Sequence, residues 1–235
     1  MKVNQTKLKL YCDGPNLNEI NTDLGTQIDG YTFNPSIFKK NGATDYIKYS
    51  KEILEKCSNK PVSLEVFADD ESGMINQGKI LNKLENNVFV KIPITFTNGD
   101  STLKVIQKLL DENIKLNITA IFVIDQVKEL LQTIKDSETI ISVFAGRIYD
   151  CGIDAKKEMI SINKLIKENS KCKSLWASTR MAYDYIAAEE TGTDIITMQI
   201  SHIKKLKMIG VSPKEYSLKT IKQFYEDAKS SGFRI

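Results

Sequence analysis

Short apolar runs alternate with amphipathic stretches along the whole chain. Eight runs have the length of a buried strand, and they occupy residues 7–13, 30–34, 62–67, 88–94, 115–123, 139–145, 174–179 and 194–199. Helical spacing of apolar residues between them predicts helices over 37–57, 74–84, 102–112, 126–134, 156–168 and 181–191. Strands and helices in such alternation are typical of parallel βαβ units. Eight units of this size favour an α/β protein with a closed (β/α)8 barrel, the TIM barrel.

Glycines and a proline mark the ends of the predicted helices. Asn41-Gly42, Gly192 and Gly210 follow helical runs, where a glycine commonly caps the C-terminus, and Pro35 stands at a favoured first helical position. Two more helical stretches follow the eighth strand, at 201–209 and 212–230, and the second predicts a long extra C-terminal helix. We see no linker or repeat, so we expect residues 1–235 to form a single domain.

Polar residues keep one parity within each predicted strand, while the other parity is mostly Val, Ile, Leu and Ala. Because alternate strand residues face opposite sides, we expect the polar parity to face the barrel interior. These residues are Tyr11, Asp13, Thr32, Asn34, Ser63, Glu65, Phe67, Phe89, Lys91, Pro93, Asn117, Thr119, Ser142, Phe144, Trp176, Ser178, Arg180, Thr197 and Gln199. Most lie late in their strands, at the C-terminal mouth where barrel enzymes carry their active sites. A single Thr or Ser there is more often a hydrogen-bonded core residue, but converging Asp, Glu, Lys, Arg and Asn indicate a site.

Lys91 is the most informative of these residues, because it lies in the middle of the fourth strand between Val90 and Ile92. An apolar interior disfavours the charged form of lysine and so favours a nucleophilic amine. Such an amine can form a Schiff base with a carbonyl substrate. The alternative is a buried ion pair of Lys91 with Glu65 or Asp13 that has no chemical role.

Composition and charge exclude several other classes of function. Apolar residues make up 41% of the chain and charged residues 27%, and the net charge of +3 does not by itself suggest a nucleic-acid or membrane partner. No stretch reaches the roughly 18 consecutive apolar residues of a membrane span, and the N-terminus lacks the apolar core of a signal peptide. We therefore expect a cytoplasmic protein.

The residues that usually bind metals or act as nucleophiles show no characteristic spacing. The four cysteines, at positions 12, 57, 151 and 172, form no CxxC pair, which favours free thiols over a zinc site. His202 is the only histidine, and no nucleophile motif accompanies it. The acidic run 69–71 falls at the start of a loop, where a solvated turn is a better interpretation than a metal site. We expect no metal site.

Several segments resemble one enzyme family. GYTFNPSIFKKNG (30–42) resembles the transaldolase signature around GxTTNPS, and VFVKIPIT (88–95) resembles the segment that carries that family's Schiff-base lysine. SLEVF, LNITAIF, ISVFAGRI and LWASTR resemble its third, fifth, sixth and seventh strands. The motifs follow in order over nearly the whole chain, which is identified as a member of the compact transaldolase and fructose-6-phosphate aldolase-like branch. The resemblance also implies a homo-oligomer, since this branch often forms pentamers or decamers in which the C-terminal helix reaches a neighbour.

The resemblance implies roles for eleven residues in a reaction on sugar phosphates. Lys91 would form the Schiff base, Asp13 would exchange a proton with the C4 hydroxyl of the substrate, and Glu65 with Thr119 would hold a water. The dihydroxyacetone unit would contact Asn34, Asn117, Ser142 and Phe144, and the phosphate would contact Arg147, Ser178 and Arg180. No organic cofactor is implied, because the imine of Lys91 itself accepts the electrons.

The resemblance also bears on the choice between transferase and lyase. Free aldolases of this superfamily tend to carry Gln at the position of Glu65 and Tyr at that of Phe144, so this chain has the transaldolase residues. A lyase that releases free dihydroxyacetone is the alternative, and a sugar-phosphate-binding barrel without catalysis would need the loss of a key residue. Three segments depart from the family pattern, TFN (32–34), TFTNGDSTL (95–103) and CDGPN (12–16), and they would suit a specialised transaldolase acting on an unusual sugar.

Overall fold

The computed structural model of this protein describes residues 7–235. Within them, eight parallel strands pair in chain order, and the last pairs with the first to close a barrel. The strands are β1 (Lys9–Asp13), β2 (Gly30–Thr32), β3 (Val62–Glu65), β4 (Val88–Pro93), β5 (Leu116–Ile121), β6 (Ile140–Val143), β7 (Lys173–Trp176) and β8 (Ile195–Met198). The predicted TIM barrel is confirmed.

The described helices fill the connections outside the barrel. They are α1 (Pro35–Lys40), α2 (Tyr46–Lys56), α3 (Glu71–Asn82), α4 (Leu103–Asp111), α5 (Ile124–Ile134), α6 (Ala145–Asp150), α7 (Ala155–Asn169), α8 (Tyr183–Glu190), α9 (Ile200–Ile203) and α10 (Pro213–Ser231), with a 3-10 turn at Leu206–Met208. None of these helices is long and apolar enough to cross a membrane.

Two of the helix predictions needed correction, and one helix was missed. The helix predicted over 37–57 is two helices, α1 and α2, because Gly42 adopts a positive φ of 82° between them. The stretch 201–209 is a single helical turn followed by a 3-10 turn, and α6 was not predicted at all. The long C-terminal helix is confirmed as α10, which begins with Pro213 and ends before Gly232 at φ 71°.

The acidic run 69–71 leads into α3, with Asp70 as the N-cap residue and Glu71 as the first residue of the helix. The Asp70 side chain accepts a hydrogen bond from the Gly73 backbone N–H, while Asp69 accepts one from the Thr97 backbone N–H at 2.8 Å. Glu71 pairs with Lys108. These bonds use the carboxylates for helix capping and for joining two loops. Among residues 7–235, no cluster of three or more His, Cys, Asp and Glu side chains could hold a metal.

The apolar core has two parts. A large outer layer packs the strands against the helices, and a small inner cluster, which includes Tyr11, Ile140 and Ile195, fills the barrel below its mouth. Three of the cysteines, Cys12, Cys57 and Cys172, are buried, Cys151 is exposed, and all are free thiols, as predicted.

The parity predicted for β7 was wrong. Leu175 and Ala177 pack with the inner cluster, whereas Trp176 is completely buried in the outer layer, with its ring 6.1 Å from that of Tyr149. The large indole therefore packs between barrel and helices instead of in the interior. Phe67 was also assigned wrongly, because β3 ends at Glu65 and Phe67 is 59% exposed.

Candidate active site

A cavity of about 280 Å³ opens at the C-terminal mouth of the barrel. Its lining includes eight of the eleven site residues predicted from the sequence: Asp13, Asn34, Lys91, Ser142, Phe144, Arg147, Ser178 and Arg180. The remaining three, Glu65, Asn117 and Thr119, lie on β3 and β5, the neighbours of the strand that carries Lys91. The structure thus brings the predicted residues together in one region.

Lys91 lies in the strand β4 with 6% of its surface exposed, and its side chain lines the cavity. The strand register places Glu65 on one side of it and Asn117 on the other. Lys91 Nζ lies 3.0 Å from Glu65 Oε2. The ion pair that the sequence offered as an alternative to chemistry therefore exists, but Lys91 also lines the cavity.

Asp13 ends β1 and faces the same space. Burial raises its pKa above the ordinary value, although the charge of Lys91 and a hydrogen bond from Thr32 act in the opposite direction. Thr32 Oγ1 donates that bond to Asp13 Oδ1 over 2.7 Å. A carboxyl group with a raised pKa next to an amine is suited to receiving and returning protons.

Three buried side chains form a hydrogen-bonded row across the strands β3, β5 and β6. Ser142 Oγ donates to Asn117 Oδ1 over 2.6 Å, and Asn117 Nδ2 donates to Ser63 Oγ over 2.9 Å. Ser63 was predicted to face inward but not as part of the site. Thr119 Oγ1 is buried and has no hydrogen-bond partner within the described chain, so it can bind a water or a substrate group.

Asn34 contributes both to the fold and to the cavity. Its Oδ1 accepts a hydrogen bond of 2.9 Å from the Ile37 backbone N–H and so caps α1. Pro35 follows at the first position of this helix, which explains why α1 begins directly at the barrel mouth. Since the cap uses only the carbonyl oxygen, the amide nitrogen of Asn34 can donate to a ligand in the cavity.

Two arginines line the outer part of the cavity. The Arg147 guanidinium lies 5.1 Å from the centre of the Phe144 ring, and Arg180 Nη1 donates to the Ser178 carbonyl over 2.9 Å. Arg180 also forms a two-pronged ion pair with Asp150, with Nε 2.9 Å from Oδ1, and this guanidinium holds the pKa of Asp150 below its ordinary value.

Local backbone geometry places these arginines together. Ser178 has a positive φ of 63°, which turns the chain after β7 so that Ser178 and Arg180 still reach the cavity although Trp176 faces outward. Gly146 lies so close to the Ser178 carbonyl that a Cβ atom on it would be 1.7 Å from that oxygen.

The sequence did not identify Asp150 or the cavity residue Lys40. Asp150 closes the helix α6, which was not predicted, so its position beside Arg180 could not be inferred. Lys40 ends α1 and lines the cavity with the arginines.

Comparisons with known proteins agree with the architecture and with the motifs. The family described as "Transaldolase/Fructose-6-phosphate aldolase" matches residues 10–235. A probable transaldolase from Thermoplasma volcanium is 35% identical over 204 residues, which cover 85% of this chain and 87% of that protein. A probable transaldolase from Thermoanaerobacter sp. is 30% identical over 231 residues, which cover 97% of this chain and 100% of that protein.

Solved structures show the same barrel in distant proteins. The thiamine phosphate pyrophosphorylase from Pyrococcus furiosus has a TM-score of 0.57 at 11% identity, covering 87% of this chain and 96% of that one. The carboxyl transferase domain of Rhizobium etli pyruvate carboxylase has a TM-score of 0.59 at 10% identity, covering 83% of this chain and 40% of that one. At such low identity the likeness concerns the fold alone.

Proposed function

Because this chain belongs to the transaldolase/fructose-6-phosphate aldolase family, we propose that it is a transaldolase. It transfers a dihydroxyacetone unit from a ketose phosphate to an aldose phosphate. The observation that carries the proposal is the position of Lys91, buried at the barrel mouth, with Glu65 at 3.0 Å and with Asp13 lining the same cavity.

The proposed reaction begins when Lys91 passes a proton to Glu65 and the resulting uncharged amine attacks the C2 carbonyl of the ketose. Loss of one water leaves a protonated imine, which can accept electrons. Asp13 then takes the proton of the C4 hydroxyl, the C3–C4 bond breaks, and its electron pair moves to the imine to form an enamine on Lys91. The shortened aldose phosphate leaves. The enamine next attacks the carbonyl carbon of the acceptor aldose, Asp13 returns the proton to the new hydroxyl, and water releases the product ketose.

Water has to be removed and added next to Lys91 in this scheme. We assign that task to Glu65 and Thr119. Glu65 already contacts the Lys91 amine, and the Thr119 hydroxyl is buried with no partner in the described chain, so it can hold a water. Asn34, Asn117 and Ser142 provide amide and hydroxyl groups for the hydroxyls of the three-carbon unit.

The phosphate of the sugar binds among Arg147, Ser178 and Arg180 in this proposal. Guanidinium groups are well suited to phosphate because their N–H donors match pairs of phosphate oxygens. Arg180 is already oriented by Asp150 and by the Ser178 carbonyl. The Arg180 guanidinium is then held in place before the substrate arrives, which lowers the entropy lost on binding. Its Nε and Nη1 hydrogens are bonded to Asp150 and Ser178, so one Nη2 hydrogen remains to bind the phosphate beside Arg147.

We favour the transferase over the lyase because of Glu65 and Phe144. Phe144 lines the cavity and presents an apolar ring where the related free aldolases tend to carry a tyrosine. A phenyl ring cannot position a water, so the enamine persists until an aldehyde arrives. Three residues then act together: Lys91 holds the fragment, Phe144 excludes water, and Asp13 returns the proton.

We also propose that the protein assembles with further copies of itself through α10. No residue of this helix of 19 residues is buried, and it exposes Ile221, Phe224 and Tyr225, which are 60 to 67% accessible. An apolar surface of this kind is usually covered by a partner. Analytical ultracentrifugation should give the mass of an oligomer for the wild type and a smaller species for the variant Ile221→Glu with Phe224→Glu, whereas a monomeric wild type would refute the assembly.

Borohydride trapping tests the chemistry. The enzyme is mixed with a ketose phosphate such as fructose 6-phosphate, and borohydride is added to reduce the Schiff base. This should leave a three-carbon adduct that peptide mass spectrometry locates on Lys91. Lys91→Met is the matched control and should give no adduct. If the folded wild-type protein forms no adduct with any of a panel of ketose phosphates, the proposal fails.

Acceptor dependence separates transferase from lyase. Without an acceptor aldehyde, the transaldolase should release about one equivalent of aldose phosphate per active site and then stop. Adding an aldose phosphate should restore continuous turnover. Steady release of free dihydroxyacetone without any acceptor would instead support the lyase.

A further inference from the structure

A row of two threonine hydroxyls leads away from Asp13 inside the barrel. Thr32 Oγ1 lies 2.7 Å from Asp13 Oδ1 and 2.6 Å from Thr197 Oγ1. Both threonines are nearly inaccessible, with 2% and 4% of their surfaces exposed. Thr32 and Thr197 belong to β2 and β8, the two strands that flank β1, so three neighbouring strands hold the row in place.

The direction of hydrogen bonding in this row depends on the charge of Asp13. A hydroxyl has one hydrogen to donate, so Thr32 can donate either to Asp13 or to Thr197. An ionised carboxylate only accepts, which requires Thr32 to donate to Asp13 and Thr197 to donate to Thr32. When Oδ1 of Asp13 carries a proton, the order reverses: Asp13 donates to Thr32, and Thr32 donates to Thr197.

We propose that Thr32 and Thr197 are positioning residues that form a reversible hydroxyl relay for Asp13. The relay gives Asp13 a hydrogen-bond partner in both protonation states without moving a heavy atom. This inference rests on the proposed function, in which Asp13 accepts a proton during C3–C4 cleavage and returns it during addition to the acceptor. A buried acid that lacked a partner in either state would lose free energy in that half of the cycle.

Other charged groups also face Asp13 and have to be considered. Lys91 on β4 and Glu65 on β3 act on its charge directly, the first favouring the ionised form and the second opposing it. Three further cations line the same cavity, and these are Lys40, Arg147 and Arg180. Substitution of either threonine leaves all of these charges in place, so a difference between the two variants reports on the hydroxyls.

The relay predicts opposite effects for the same substitution at its two positions. Thr32→Val removes the donor to the ionised carboxylate, so the protonation midpoint of Asp13 should rise by about one pH unit. Thr197→Val leaves the Thr32 hydrogen without an acceptor only when Asp13 is protonated, so the midpoint should fall. Valine closely matches the shape of threonine, which limits the effect to the hydroxyl.

The midpoint can be measured by NMR titration of protein labelled with carboxyl-13C aspartate, in which the Asp13 signal is identified by its absence in Asp13→Asn. Thr32→Ser and Thr197→Ser keep the hydroxyls and should titrate as the wild type does. In the transaldolase assay, the pH profile of kcat/KM should shift to higher pH in Thr32→Val and to lower pH in Thr197→Val. Shifts of the same sign, or none, in both valine variants that still fold would overturn the relay.

The NMR measurement does not depend on turnover, and this separates the two proposals. If borohydride trapping fails but the two midpoints move apart, the relay exists and the transaldolase assignment is wrong. If trapping succeeds and the midpoints move together, the transaldolase assignment survives and the relay is refuted.

Discussion

Lys91 and Glu65 form an ion pair between neighbouring strands, with Nζ and Oε2 3.0 Å apart and with only 8% and 20% of their side chains exposed. Both charges have lost most of their hydration, and the attraction between them mainly offsets that cost. Such a pair adds little net stability, but removing one partner leaves the other charge buried alone. The pair is therefore better explained by the catalytic role that we propose for it than by a role in folding.

A double-mutant cycle on this pair should show strong coupling. We expect Lys91→Met and Glu65→Leu each to lower the free energy of unfolding by about 1–3 kcal/mol, less than for a fully buried pair because Glu65 keeps some contact with water. The double variant, which has neither charge, should lose clearly less than the sum of the two. Urea unfolding at pH 7 measures the three values, and additive losses would contradict the coupling.

The contact between Gly146 and Ser178 predicts that a methyl group at position 146 disturbs the part of the cavity lined by Arg147 and Arg180. A Cβ on Gly146 would lie 1.7 Å from the Ser178 carbonyl oxygen, so Gly146→Ala has to push α6 away from the loop after β7. We expect a loss of stability of about 1–3 kcal/mol and an increase in KM for phosphorylated sugars that is larger than for unphosphorylated ones.

Gly78→Ala is the matched control for that variant. Its Cβ would meet the ends of the flexible Leu109 side chain at 3.1 Å and Val90 Cγ1 at an ordinary contact distance of 3.5 Å, on the outside of the barrel. It should leave KM for phosphorylated sugars unchanged. Equal effects of the two variants on KM would show that Arg147 and Arg180 do not depend on the Gly146 contact.

Most of the site could be predicted because strand geometry is regular. Residues of one parity face one side of a strand, and this rule alone placed Lys91, Ser142 and Thr197 inside the barrel. The C-terminal ends of parallel strands meet at one mouth, so the sequence also predicted that residues from distant segments would converge there.

The rule failed where the chain leaves regular geometry. In β7 Leu175 faces inward, as does Ala177 directly after the strand, while Trp176 packs against Tyr149. Ser178 reaches the cavity only because its positive φ redirects the chain. Helix α6 was missed because six residues are too few to show a helical period, and the partner that Asp150 provides for Arg180 was missed with it.

The aromatic residue at position 144 should control the fate of the enamine. Phe144→Tyr adds a hydroxyl in the cavity that can position a water, so dihydroxyacetone should be released without an acceptor aldehyde at a rate at least about tenfold above that of the wild type. A coupled assay for free dihydroxyacetone measures this rate. Phe122→Tyr is a close control, because its ring lies 5.7 Å from that of Phe144 but does not line the cavity. An unchanged release rate in Phe144→Tyr would remove Phe144 as the reason for favouring the transferase.

The pH dependence of stability should show that Asp13 is retained for function. Burial raises the pKa of Asp13, so the folded protein holds that proton more tightly than the unfolded chain does. Its favourable contribution to folding is complete below the unfolded pKa of about 4 and is lost as the pH rises through the folded pKa. Asp13→Asn has no such loss and should therefore melt at a higher temperature than the wild type at pH 8, with a difference that shrinks toward pH 4.

Asp69→Asn should behave in the opposite way. The hydroxyl and the backbone N–H of Thr97 lower the pKa of Asp69, so its contribution is present above the unfolded pKa and is lost as the pH falls through the folded pKa. This variant should melt below the wild type at pH 8 and approach it in acid. Calorimetry across pH 4–8 compares the two. A melting difference for Asp13→Asn that stays constant or grows toward acid would mean that burial does not oppose the charge of Asp13. The carboxylate would then contribute to stability in addition to the proton transfer that we propose for it.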